Sequence, residues 1–174
     1  MAIRGIDFTT LSLKDALDLA ILVEEEAQER YEEFAAQMDQ HRTPDAAKFF
    51  RHMVENEAKH GRELSSRRVQ LFGDAPRAVS RTMIYDIEAP DYDAARAFMS
   101  PRKAMEAALA SEVKAYGFFD AALPSIKDAE VRALFVELRD EELLHQDLVK
   151  TELAKLPPDS GLSDDDFVDE PAAQ

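Results

Sequence analysis

The sequence predicts an all-α protein: a four-helix bundle with a long crossover between its second and third helices. Apolar residues recur at helical steps of three and four, and no stretch alternates polar and apolar residues for long. Only 5 Gly and 8 Pro occur in 174 residues. Two helix pairs, each with a short turn, flank a mixed segment at 73–99. A bundle needs such a connection when the chain must cross its length before resuming.

Each expected helix begins at a serine or threonine that can cap it, followed by proline at the first helical position or by aspartate three residues on. Each ends before a glycine, a proline or a turn. The expected helices run from Ser12 to about Met38, from Thr43-Pro44 to about Phe72, from Ser100-Pro101 to before Pro124, and from Ser125, with Asp128, to about Leu156.

The remaining segments are expected to be connections or tail. A short helix is expected around Asp93–Phe98 in the crossover. Residues 157–174 hold six acidic residues and no basic ones, so we expect the bundle to occupy 1–156 and a disordered tail to follow. A solubilising role for this tail is favoured over a docking peptide built on Phe167-Val168.

Composition excludes several classes of protein. A net charge of −15 disfavours nucleic acid and anionic membranes as partners. The absence of cysteine excludes disulfides, Cys-ligated zinc, iron–sulfur and rubredoxin-type centres, and thiol nucleophiles. No apolar run approaches the roughly 20 residues that span a bilayer, and MAIRGIDF lacks a signal-peptide core. We therefore expect a soluble, cytoplasmic protein without membrane insertion.

The most informative feature is a glutamate in the middle of each apolar stripe. The second and fourth stripes add a histidine three residues later, on the same face. The stripes are Leu17, Ala20, Glu24, Ala27, Tyr31, Phe34, Met38; Phe50, Met53, Glu57, His60, Leu64; Met105, Ala108, Glu112, Tyr116, Phe119, Leu123; and Val131, Phe135, Leu138, Glu142, His145, Val149.

The two halves of the chain repeat these positions, which indicates a pseudo-twofold bundle with equivalent side chains converging on its axis. The intervals are 88 residues from Glu24 to Glu112 and from Tyr31 to Phe119, and 85 residues from Glu57 to Glu142 and from His60 to His145.

Four buried carboxylates would each cost several kcal/mol and would repel one another. No Lys or Arg lies on the four stripes, whereas two divalent cations would balance the four negative charges and two neutral imidazoles would complete the coordination. One imidazole per ion among carboxylates favours iron, with manganese as the alternative. The set matches the di-metal carboxylate pattern of ferritin-like bundles.

The segments VEEEAQERYEEFA, ENEAKHGREL, ASEVKAYGFFDAAL and VELRDEELLHQDL resemble the four helices of the rubrerythrin and ferritin-like superfamily. The resemblance covers roughly residues 12–156. It implies that Glu57 and Glu142 bridge two metal ions and act in catalysis. It also implies that Glu24 with His60 holds one ion, and Glu112 with His145 the other.

The chain departs from full-length rubrerythrins in two ways. It has no cysteine for a rubredoxin domain, so an external donor must supply electrons. The extra glutamate that rubrerythrins place one turn after the third-helix ligand is replaced by Ala115. The six-ligand set is therefore closer to a bacterioferritin centre.

Some assignments stay open at this stage. Glu141 rivals Glu142, because Leu134, Leu138, Glu141 and His145 also share a face; Glu142 is preferred because it repeats the Glu57-to-His60 spacing. Tyr31 and Tyr116 are either oxidisable groups or, as we favour, core residues with a hydrogen-bonded hydroxyl.

Three functions follow as hypotheses. The first is a ferroxidase or peroxidase in which two iron ions reduce O2 or H2O2. The second is an iron-binding, storage or delivery protein, favoured by the acidic composition. The third is an oxygenase that acts on an organic substrate; no sequence feature indicates a substrate pocket for it. A homodimer or larger homo-oligomer is expected for any of them.

Overall fold

The computed structural model of the chain describes residues 2–3, 6–40, 42–84, 87 and 100–158. The prediction of an all-α four-helix bundle is confirmed, with a minute antiparallel pair, β1 (Ala2–Ile3) and β2 (Ile6–Asp7), before it. Among the described helices, none is both long and apolar enough to cross a membrane. The helices are α1 (Leu13–Gln40), α2 (Pro44–Phe72), α3 (Arg81–Ile84), α4 (Pro101–Ala122) and α5 (Ala129–Leu153).

Two of the expected helix starts are confirmed in detail. The Ser12 hydroxyl accepts a hydrogen bond from the Asp15 backbone N–H at 3.1 Å and donates to the Asp15 carboxylate at 2.8 Å. At α4, the Ser100 hydroxyl accepts from the backbone N–H of Lys103 at 3.2 Å. Both hydroxyls satisfy N–H groups that a helix leaves without an internal partner.

The predicted start of α2 at Thr43-Pro44 is confirmed, but the expected side-chain cap of Thr43 is wrong, and so is the expected cap at Ser125. Thr43 makes no side-chain cap on α2; its hydroxyl donates to the Met38 carbonyl at 2.9 Å and so ties the turn to the end of α1. Ser125 lies in a 3-10 turn, Leu123–Ser125, and α5 starts after Asp128, whose carboxylate accepts two backbone N–H groups at 2.8 and 3.0 Å. A carboxylate at a helix N-terminus also interacts favourably with the helix dipole, which favours the later start.

The described part of the crossover contains a helix that the sequence did not predict, α3. The helix expected around Asp93–Phe98 lies outside the described residues, as does nearly all of the expected acidic tail, from residue 159 onward. At its carboxyl end, α5 stops at Leu153, three residues before the expected Leu156.

The core consists of two apolar clusters along the bundle. One gathers the early part of α1 with the ends of α2 and α4 and the start of α5, and Phe8 packs edge-on against Phe118 and Phe135 there. The other gathers the late part of α1 with the starts of α2 and α4, and includes Phe34 and Phe50. The inward glutamate of each long helix lies between its contributions to the two clusters, so the polar layer is closed by apolar packing at both ends.

Candidate metal centre

The structure buries all four inward glutamates at the predicted positions. Glu24, Glu57, Glu112 and Glu142 are each no more than 5% exposed. The two histidines differ, since the His145 side chain is 6% exposed and that of His60 17%. Burial of four acids in one layer requires cationic or hydrogen-bonding compensation.

These six residues and Glu141 fall into three groups whose ligand-type atoms lie within 4.8 Å of one another. We call them the bridging group (Glu57, His60, His145), the open group (Glu24, His60, Glu141) and the closed group (Glu112, Glu142, His145). The six predicted ligands are thus brought together. Their ligation of metal stays a prediction.

Both imidazoles present the same nitrogen to the carboxylates. Nδ1 of His145 lies 3.4 Å from an oxygen of Glu57 and 3.4 Å from an oxygen of Glu112, and Nδ1 of His60 lies 3.7 Å from an oxygen of Glu24. The two rings stack with centroids 5.4 Å apart and planes 11° from parallel. Glu57 therefore lies among both imidazoles, where a bridging ligand would have to be.

The atoms of this layer fit a metal better than they fit one another. In the described part of the chain, Glu24 Oε2, Glu112 Oε2 and the Nδ1 atoms of His60 and His145 are buried without a hydrogen-bond partner. An unsatisfied buried polar atom costs about 1–3 kcal/mol, and more when charged. Divalent cations would satisfy all four atoms at once, and carboxylate-plus-imidazole donors suit iron or manganese.

The closed group is held by a neighbouring tyrosine. The Tyr31 hydroxyl donates a buried hydrogen bond to Oε1 of Glu112, and its ring lies 6.0 Å from that of Phe50 in a stacked arrangement. This matches the favoured interpretation of Tyr31 as a core residue with a bonded hydroxyl. Because one oxygen of Glu112 is taken, the other faces His145. Tyr116 is only half-buried.

The open group borders a cavity of about 110 Å³ between α2 and α5. His60 and Glu141 line it together with Glu63, Leu64, Arg67, Glu137 and Leu138. Burial raises the pKa of the Glu141 carboxyl above its usual range, and the Glu24 carboxylate raises the pKa of His60. The open group is therefore less enclosed than the closed group.

The sequence left open whether Glu141 or Glu142 is the ligand on α5, and the structure places both of them in ligand groups. Glu142 is buried and belongs to the closed group, whereas Glu141 is half-buried and belongs to the open group. One turn of α5 therefore presents carboxylates to both groups. Ala115, where rubrerythrins would carry their extra glutamate, is fully buried in the first apolar cluster.

Sequence reasoning missed a second buried polar cluster. Asp18 is fully buried, and the Arg68 guanidinium lies 2.9 Å from its carboxylate, while Lys14 lies 3.2 Å from the other carboxylate oxygen. The available signal was a lone acid inside the apolar run from Ala16 to Val23. Arg68 is thus engaged by an acid outside the three ligand groups.

The fold and the layer of glutamates and histidines define a ferritin-like helical bundle with candidate metal-ligand groups. The rubrerythrin family profile matches residues 15–153, so the chain belongs to the rubrerythrin family. This membership, with the three ligand groups, supports a di-metal carboxylate protein in general terms.

Among solved structures, the chain is similar to an uncharacterised conserved protein from Magnetospirillum magnetotacticum MS-1. The two share 29% identity with a TM-score of 0.72, over 86% of this chain and 99% of that one. No curated protein sequence matches significantly.

Proposed function

We propose that the chain is a di-iron oxidoreductase that oxidises Fe(II) and reduces O2 or H2O2. The observation that carries this proposal is a set of four buried ligand-type atoms that have no hydrogen-bond partner in the described part of the chain: Oε2 of Glu24, Oε2 of Glu112, and Nδ1 of His60 and of His145. Membership of the rubrerythrin family supports the same class of centre.

The ligands divide between the two halves of the bundle. Glu24 and His60 would hold one ion and Glu112 and His145 the other, with Glu57 and Glu142 between them as bridging and catalytic residues. Two Fe(II) ions bound there would supply one electron each, which converts O2 and two protons to H2O2, or H2O2 and two protons to water. Manganese is the alternative metal for the same donors.

The protein's part in this chemistry is to position ligands and exclude water. The two apolar clusters close the polar layer from both ends, which strengthens the electrostatic interactions inside it. Tyr31 fixes the orientation of Glu112 through its hydroxyl. Since the chain has no cysteine, a separate donor must restore the reduced state.

Anaerobic titration with Fe(II), followed by one equivalent of H2O2, tests the proposal. We expect two ions per chain and a near-UV ligand-to-iron band that grows as peroxide is consumed. Glu57→Ala should remove most of the band, whereas Glu55→Ala, an exposed neighbour on α2, should leave it unchanged. Fewer than two ions in the parent, or a full band in Glu57→Ala, would contradict the proposal.

A storage or delivery role is the second candidate, favoured by the net charge of −15. A storage protein would bind many iron ions per chain in a large homo-oligomer. The di-iron oxidoreductase would bind two iron ions per chain in a small homo-oligomer. Sedimentation with iron analysis separates them. The oxygenase hypothesis gains no support from the cavity beside His60, because about 110 Å³ is well below the roughly 300 Å³ of a typical ligand pocket.

A further inference from the structure

We propose that Glu141 is a ligand of the ion held by Glu24 and His60, so that this ion has its own third protein ligand on the side facing the cavity. The inference rests on the proposed di-metal function and deepens it. It makes the two ion positions unequal, because Glu141 belongs to the open group alone, whereas Glu142 keeps its proposed bridging role.

Geometry provides the first support. One carboxylate oxygen of Glu141 lies within 4.8 Å of ligand-type atoms of both Glu24 and His60. Three donors within this distance of one another can converge on one cation, because metal–oxygen and metal–nitrogen bonds of about 2 Å place donors a few ångströms apart. The group takes one donor each from α1, α2 and α5, so it draws on both helix pairs.

Two unsatisfied atoms provide independent support. Glu24 is 5% exposed, and its Oε2 atom is buried without a hydrogen-bond partner in the described part of the chain; the same holds for Nδ1 of His60. These atoms lie 3.7 Å apart, too far for a good hydrogen bond with each other. A cation shared with Glu141 would satisfy both of them.

The cavity explains why a fifth carboxylate is tolerated. Four glutamates already balance two divalent ions, so Glu141 adds one negative charge. Glu141 is half-buried and lines the cavity between α2 and α5, where water can screen that charge. The closed group has three buried residues. We therefore expect the ion of the open group to exchange faster.

The pseudo-repeat shows that this feature belongs to one half only. The position equivalent to Glu141, 85 residues earlier on α2, is Asn56. The added carboxylate therefore does not follow from the repeat that predicted the other ligands. It lies next to Glu142 on α5, about 100° further round the helix.

Calorimetric titration of the metal-free full chain with Co(II) alone tests the inference. The parent should bind two ions, with visible d–d absorption reporting each. Glu141→Gln should weaken one of the two by at least roughly tenfold and speed its release to a chelator, because even the loss of a residue that only hydrogen-bonds to a ligand costs about that much. Glu137→Gln is the matched control, because Glu137 lines the same cavity without belonging to a ligand group.

The outcomes separate this inference from the proposed function. A parent that binds fewer than two Co(II) ions overturns both. A parent that binds two, with Glu141→Gln binding both at unchanged affinity, overturns only the role of Glu141. An equal loss in Glu137→Gln also overturns it, because the effect would then be one of general charge. Thermal unfolding of the metal-free variants checks that each is folded.

Discussion

The two helix pairs supply equivalent ligands but surround them differently. In the α1–α2 half, His60 borders a cavity and its side chain is 17% exposed; in the α4–α5 half, His145 is 6% exposed and belongs to a fully buried group. The difference shows that an internal repeat sets which donors are present, while non-repeated neighbours set how accessible each donor is.

Two non-repeated positions also distinguish the surroundings of the two sets of ligands. Tyr31, which bonds Glu112, has Phe119 as its equivalent 88 residues later, so only the closed group has a phenol donor at this position. Glu141, beside Glu24 and His60, has Asn56 as its counterpart. Phe119 has no hydroxyl to donate a hydrogen bond, and Asn56 has no carboxylate to bind a cation.

The halves also differ away from the ligands. Asp18 and Arg68 form a buried ion pair in the first half, whereas the equivalent positions in the second half are Glu106, which is exposed, and Leu153. One pair of helices thus carries a buried charged contact, and the other carries none at these positions.

The largest expected effect comes from removing one imidazole from each half. His145→Ala should remove most binding at the closed group and lower iron oxidation at least a hundredfold, because all three residues of that group are buried and no cavity water can replace the lost imidazole. His60→Ala should remove binding at the open group while leaving one buried ion. Metal analysis with stopped-flow oxidation measures both, and His52→Ala, exposed on α2, is the control. Identical losses in both variants would contradict the inequality of the halves.

A second prediction concerns the ion pair that only the first half has. Arg68→Met should lower the free energy of unfolding by less than the roughly 3–5 kcal/mol of a fully uncompensated buried charge, because Asp18 loses its buried guanidinium but keeps Lys14 at 3.2 Å. Urea unfolding of the metal-free protein measures this loss. Arg67→Met, which removes an exposed pair with Glu137, should change stability by less than about 0.5 kcal/mol.

Replacing both members of the pair sharpens this test. Asp18→Leu combined with Arg68→Met should recover much of the lost stability, since no uncompensated charge remains in the core. A double variant as unstable as Arg68→Met alone would show that packing, rather than charge, sets the cost.

The third prediction concerns the hydroxyl that only the closed group has. Tyr31→Phe should cost about 1–3 kcal/mol in the metal-free protein, because Oε1 of Glu112 loses its buried donor. Chemical unfolding of the parent and variant gives the value. Tyr116→Phe, at a half-buried position of α4, should cost less. Equal costs would mean that the hydrogen bond to Glu112 contributes nothing specific.

The smallest expected effect is a pH dependence of the open group. Glu24 raises the pKa of His60, so the folded metal-free chain holds this proton more tightly than the unfolded chain. The resulting stabilisation is complete below the unfolded pKa of about 6.5 and is lost as the pH rises through the higher folded pKa. The raised pKa of Glu141 adds a loss of the same sign in the acidic range.

Metal binding should show the opposite trend with pH. A ligating imidazole must be neutral, so the affinity of the open group should fall as the pH drops, starting above the ordinary titration range of histidine. Melting temperatures between pH 5 and 8, with and without Mn(II), measure both trends. His60→Ala should flatten the metal-free profile; a parent profile that is already flat would contradict the coupling.

Much of the fold was predictable because helical periodicity and caps are local signals. The apolar stripes of the four long helices and the inward face of the glutamates follow from spacing, and the starts at Ser12 and Ser100 follow from the capping residues. The errors concern the side-chain caps expected at Thr43 and Ser125. The Thr43 hydroxyl donates to the Met38 carbonyl instead of capping α2, and the Asp128 carboxylate caps α5 in place of Ser125. Both outcomes depend on the turn that joins two helices and not on the helix sequence alone. The four-residue helix α3 is too short to show a period.

The candidate site was predictable in its donors and less so in their environment. Which glutamate of the Glu141–Glu142 pair faces inward depends on helix rotation by 100°, and the structure shows that both do, toward different groups. The Asp18–Arg68 pair joins residues 50 positions apart, a contact that no local pattern encodes.

Arg68 also has a bearing on how the chain acquires its topology. Besides Asp18, its guanidinium donates to the carbonyl oxygens of Gly73 and Ala75, immediately after α2 ends, and Lys14 donates to that of Pro76 at 3.0 Å. The exit path of the chain is thus set within four residues of the helix end. These contacts join residues between positions 14 and 76, so the start of the crossover is positioned by the first helix pair without any residue of the second.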